Sequence, residues 1–66
     1  MDMKAIGKRV RAARRARDMT QEQLAELVEI STSFVGHIER GTRVPSLETM
    51  WRICKAMGLH MDNIMG

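Results

Sequence analysis

The sequence predicts an all-α domain built from five short helices. Three observations carry that expectation. Only two of the 66 residues are aromatic, β-branched residues never form a run, and good helix formers (Ala, Leu, Met, Glu, Arg) dominate. Apolar residues recur at spacings of three and four rather than two. Capping residues and glycines punctuate the chain at intervals suited to short helices. The length leaves room for one domain, spanning 1–66, which buries only about 60 % of the surface its unfolded chain exposes.

Ile6, Val10 and Ala13 share one face of a first helix, from about Met3 to Arg17. Arg14 falls at the edge of that face, whereas Arg9, Arg11 and Arg15 are expected to point elsewhere. Asp18 and Met19 end the helix. Thr20 opens the second, with Gln23 three residues on completing a capping box, and Leu24, Ala25 and Val28 as its buried stripe. Ser31 caps a third helix whose inward face is Val35 and Ile38, and Gly41 ends it where a left-handed residue is usual. Glu29, Ile30 and Ser31 alone separate these two helices, a connection suited to a steep crossing. After the loop 42–45, Ser46 caps a fourth helix with the stripe Leu47, Met50, Ile53, Cys54 and Met57, stopped by Gly58. Leu59 leads into a final turn, Met61–Met65.

The net charge of +3 conceals an asymmetry. Residues 1–17 carry seven bases and one acid, while 18–66 carry four bases and seven acids. A surplus held on one element favours a polyanionic partner, the plainer alternative being a solvated helix face. One cysteine, Cys54, excludes an internal disulfide framework and a Cys-rich zinc site, and fits a reducing, cytoplasmic compartment. No apolar run approaches the ~18 residues of a membrane span, and no N-terminal signal pattern is present. His37, His60 and Cys54 lack ligand spacing, so no metal is expected. No phosphate loop or nucleophile–base–acid set supports an enzyme, and nothing indicates a cofactor or a small-molecule ligand. The seven Met residues fall mostly on core positions.

The stretch 19–65 resembles the phage repressor and Cro type of helix-turn-helix, the Xre family. The shared features are Thr-Gln-x-x-Leu-Ala at 20–25, Ser31, Val-x-x-Ile-Glu-x-Gly at 35–41, Pro-Ser-Leu-x-Thr at 45–49 and Gly-Leu at 58–59. Ile6-Gly7-Lys8-Arg9-Val10 in the basic first helix also fits, so the likeness covers essentially the whole chain. It implies a helix-turn-helix at about 20–40 and a sequence-specific transcriptional regulator of double-stranded DNA, a repressor that occupies its operator. Alternatives on the same fold are an antitoxin or a restriction-modification controller. From another class, a protein-interaction adaptor would have kept the fold and lost DNA readout.

The resemblance places the third helix, about 32–39, in the major groove with its N-terminal residues against base edges. Thr32, Ser33, Gly36 and His37 are the expected readers. Short hydroxyls and a histidine include no bidentate Arg, Asn or Gln, so the code is not legible. Gly36 departs from helix preference at a cost of about 1 kcal/mol relative to Ala; a close backbone approach to DNA would account for it, as would drift. Gln21 stands at the family's phosphate-contacting position on the second helix, and Arg40, Thr42 and Arg43 flank the end of the third. Four neutralised phosphates per subunit would give a log–log salt slope of about −3.6. Arg14 aligns with a family arginine that pairs with Glu39, a structural role.

The resemblance further implies a homodimer on DNA, reading two half-sites about one helical turn apart. Leu27 and Trp51 lie off the main stripes of their helices. Trp51 has two readings, a cover over the small core or, with Met61 and Met65, a self-contact. Glu29 stands where the family often has a small residue in the turn, and His60 where it usually has a Ser cap.

Overall fold

The computed structural model describes residues 2–61 and, among them, four helices and no strand: α1 Met3–Ala16, α2 Gln21–Val28, α3 Thr32–Arg40 and α4 Leu47–Met57. The expected fifth element, 61–65, lies outside the described residues beyond Met61.

Each helix starts on a side chain able to satisfy its leading amides. Asp2 accepts from the amides of Lys4 and Ala5 at 3.0 and 3.1 Å. Thr20 and Gln23 form the reciprocal capping box, at 3.0 and 2.8 Å. Ser31 accepts from the Phe34 amide at 3.0 Å, and Ser46 from that of Thr49 at 3.2 Å. Gly41 and Gly58 end α3 and α4 in the left-handed region. At the end of α2 that conformation falls on Glu29, with φ 61° and ψ 44°. An L-residue pays for it sterically, since its Cβ crowds the following carbonyl.

The core joins Ile6 and Val10 of α1, Leu24, Ala25 and Val28 of α2, Val35 and Ile38 of α3, and Met50, Ile53, Cys54 and Met57 of α4. Phe34, Ala13, Leu59 and Met61 pack half-buried against it. Leu47 was expected in the stripe of α4 but is 66 % exposed. It occupies the first helical position, where the stripe continues in sequence although the helix end overhangs the core. Burial pushes the Cys54 thiol above its ordinary pKa, as befits a core residue.

α1 crosses α3 at Gly7. A Cβ there would overlap the backbone carbonyls of Ile38 and Glu39, groups that a rotamer change cannot move aside. Farther along, Gly41 combines φ 73° with a Cβ position only 2.8 Å from the Lys4 Cα. α1 and α3 therefore approach closely at two points, position 7 of α1 and position 41 after α3, and neither position tolerates a side chain.

Two stability outcomes follow from the backbone. Gly7→Ala, which helix propensity alone would favour, is expected to lower stability by about 1–3 kcal/mol through overpacking. Glu29→Gly is expected to raise it by about 1 kcal/mol by relieving the left-handed strain. Urea midpoints at constant m-value check both; a stabilised Gly7→Ala variant would contradict the close crossing.

Candidate nucleic-acid interface

The helix pair α2–α3 is held by one buried carboxylate. Glu39, on the inner edge of α3, accepts from Arg14 through Nε at 2.6 Å and Nη2 at 3.1 Å, a bidentate pair. Arg11 Nε adds a bond at 3.3 Å and Gln21 Nε2 one at 3.1 Å. The third guanidinium nitrogen of Arg14, Nη1, donates to the Met19 carbonyl at 2.7 Å. The Glu39 side chain is fully buried and that of Arg14 is 9 % exposed.

Burial pushes the Glu39 carboxyl up, but the hydrogen bonds from Arg14 and Gln21, the charge of Arg14 and the bond from Arg11 together outweigh it. The net shift is downward from the ordinary 4.5. The hydrogen bond to Glu39 correspondingly raises the Arg14 pKa against the effect of its own burial.

Arg11 therefore turns toward Glu39 while its side chain stays 39 % exposed, contrary to its expected direction. Its signal was its place three residues before Arg14, which sets both on one helix face. Gln21 has spent one of its two amide hydrogens on Glu39, so its expected phosphate contact rests on what remains. The amides of Gln21 and Glu22, at the first two positions of α2, have no intrahelical acceptor.

Thr32 and Ser33 stand exposed at the start of α3, and Phe34 turns inward. His37 is half-buried and tied to Thr42. The Thr42 amide donates to the His37 carbonyl at 2.9 Å, and the Thr42 hydroxyl donates to the same oxygen at 3.2 Å. His37 Nδ1 also lies 2.9 Å from Thr42 Oγ1, so that ring nitrogen is engaged by Thr42 and Nε2 is left without a partner among the described residues. Thr42, expected as a phosphate donor, has its proton committed to His37.

Gly36 differs from its expected role. It is buried rather than open to a base edge, because the guanidinium of Arg40 lies across it. Arg43 is exposed beside the seam formed by Met3, Ile6 and Val44. On α4, Trp51 is 53 % exposed, so it does not cover the core. Lys55 Nζ sits 4.9 Å from its ring centroid. Trp51, Leu27 and Ala56 line a groove of about 400 Å³ between α2 and α4. Met61 packs against the core instead, and Met65 lies outside the described residues. No described helix is long and apolar enough to cross a membrane.

A family model described as helix-turn-helix matches residues 10–64. The immunity repressor protein of Bacillus phage phi105 is 39 % identical over 61 residues, covering 92 % of this chain and 42 % of that protein. An uncharacterized HTH-type transcriptional regulator, YazB of Bacillus subtilis (strain 168), is 34 % identical over 64 residues, covering 97 % of this chain and 93 % of that one. Among solved structures, the restriction-modification controller protein C.AhdI from Aeromonas hydrophila superposes with a TM-score of 0.83 at 36 % identity, over 89 % of both chains. The chain thus spans less than half of the phage repressor but nearly all of the other two.

Acid should unlock the Glu39 cluster. A carboxyl whose folded pKa lies below its unfolded value of 4.5 contributes its full stability above that value and loses it as pH falls through the folded pKa. Glu39→Gln leaves Arg14 buried without a counter-charge, at an expected cost of about 3–5 kcal/mol. A chain this size has only about 3–10 kcal/mol in total. Urea melts from pH 7 to pH 3 should show that loss at neutral pH and a shrinking difference between the two proteins on acidification. A difference that persists unchanged at pH 3 would contradict the assignment.

Proposed function

The chain belongs to the helix-turn-helix family of phage repressor and Cro type, and on that premise we propose that it represses transcription by occupying a double-stranded DNA operator with α3 in the major groove. The observation that carries this reading is the exposed N-terminal face of α3, Thr32 and Ser33, presented beside the N-terminus of α2 by the Glu39 cluster. Hydroxyls there can donate to or accept from base edges, and the Thr32 methyl can touch a thymine methyl. His37 keeps Nε2 for a base edge. Arg43, the remaining hydrogen of Gln21 and the leading amides of α2 serve phosphates on either side.

A two-fold pair of subunits would read two half-sites about one helical turn apart. The face that suits self-association is the α2–α4 groove. It joins exposed Trp51 and Leu27 with Glu29, Arg52 and Lys55, so a second copy brought up by a two-fold axis meets both an apolar anchor and opposite charges.

Restriction-modification control is the second reading, favoured by the likeness to C.AhdI over 89 % of both chains. It requires the same DNA chemistry in a different circuit. An adaptor without DNA readout would bind its partner without strong salt dependence.

Selection of bound sites from a random duplex pool at physiological salt tests the proposal. An inverted repeat with half-site centres about 10–11 base pairs apart is expected. Arg43→Ala should then weaken binding to all sequences alike and make the salt slope shallower by about 1, whereas Ser33→Ala should alter preference at one base pair. A single half-site would remove the dimer; absence of any enriched sequence would overturn the operator reading.

A further inference from the structure

The recognition face of α3 holds no Asn or Gln, and its single arginine lies at the helix end by sequence, in reach of phosphate. The side-chain placement is different. Residues 32, 36 and 40 follow one another at four-residue spacing, on one line along the helix surface. Helical side chains run back toward the N-terminus, and Arg40 does so over Gly36. A Cβ at 36 would lie 2.9 Å from Arg40 Nη1, 3.5 Å from Nη2 and 3.6 Å from Cζ. The guanidinium therefore occupies the space where any other residue would put its side chain. This brings the donor fork one turn inward, over the middle of α3, on the line that continues to Thr32.

Arg40 is also unengaged. Arg11 and Arg14 are bound to Glu39, and Arg52 to Glu48 at 3.0 Å. Among the described residues no acid lies within ion-pair distance of Arg40. A planar fork with free donors, lying over the middle of α3, matches the O6 and N7 acceptors of guanine rather than a single phosphate oxygen.

We infer that Arg40 is a base-reading residue that recognises guanine in the major groove, and that Gly36 is its positioning residue, kept small to seat the guanidinium. Gly36 contributes to specificity by what it leaves room for and makes no contact with the base itself. The inference rests on the operator reading, so its test begins from a site enriched by the parent chain.

The experiment compares the full-length parent with Arg40→Ala and Gly36→Ala. Each is titrated by fluorescence anisotropy against the selected duplex and its single-base-pair substitutions, at several salt concentrations. Arg40→Ala is expected to lose a preference of about 10- to 100-fold at one G·C pair while other positions and the salt slope stay as in the parent. Gly36→Ala retains the arginine and improves helix propensity. It should lose the same preference while its urea midpoint is equal or higher, which excludes misfolding as the cause. Uniform weakening of all sequences by Arg40→Ala, with a slope shallower by about 1, would make Arg40 a phosphate contact and overturn the inference while leaving the operator reading intact. Full preference in Gly36→Ala would overturn the role of the seat. A parent that enriches no sequence would overturn both readings together.

Discussion

The Glu39 carboxylate is the constraint on which the rest of the molecule depends. It receives Arg11 and Arg14 from α1 and Gln21 from α2, while Arg14 also reaches the Met19 carbonyl in the turn between them. One charge thus ties two helices and their connection to the third. Apolar contacts are non-directional, and helices as short as α2 and α3 could rotate or slide across a small core at little cost. The bidentate pair and its flanking bonds permit one rotation of α3. Well-packed apolar residues can match or exceed a buried ion pair in stability, but they lack its direction. Here direction decides which face of α3 is presented beside α2.

The same cluster changes the meaning of the basic N-terminal segment. Of its seven bases, Arg11 and Arg14 are committed to Glu39, so part of the surplus serves the interior. Lys4, Lys8, Arg9, Arg15 and Arg17 remain exposed on or just beyond α1. Their field can raise the local concentration of a polyanion without any one of them making a defined contact. On the operator reading proposed above, defined contacts would fall instead to groups held by local geometry, such as the leading amides of α2 and the side chains flanking α3.

Local chemistry was readable in the sequence, and contacts between helices much less so. The caps at Thr20, Ser31 and Ser46 and the stops at Gly41 and Gly58 depend only on neighbouring residues, and each occupies its expected position. The apolar stripes of the first three helices likewise follow from spacing. Leu47 shows where spacing misleads, because periodicity says nothing about how far a helix end overhangs the core. The left-handed Glu29 had no local signal beyond the shortness of the turn, since residues that favour that conformation are absent there. Gln21 on Glu39, and Arg40 across Gly36, require knowing where a long side chain goes. Propensity and charge cannot supply that.

Three departures from good local design fall in one region. Glu29 takes a conformation costing about 1–2 kcal/mol, Gly36 costs about 1 kcal/mol in a helix interior, and Glu39 buries a charge. All three lie between the end of α2 and the end of α3. Elsewhere, apart from left-handed Asp18 after α1 and Gly7 at the α1–α3 crossing, caps, stripes and glycine stops agree with one another, which is the condition for a chain to favour one fold. Against a total stability of about 3–10 kcal/mol, these costs are large enough that packing alone gives no reason for them. Each has a geometric consequence in the same place: Glu29 closes the turn in three residues, Glu39 fixes the rotation of α3, and Gly36 clears its outward face for a guanidinium. Stability is given up where the surface of α3 is shaped, which suits the proposed reading of DNA by that helix.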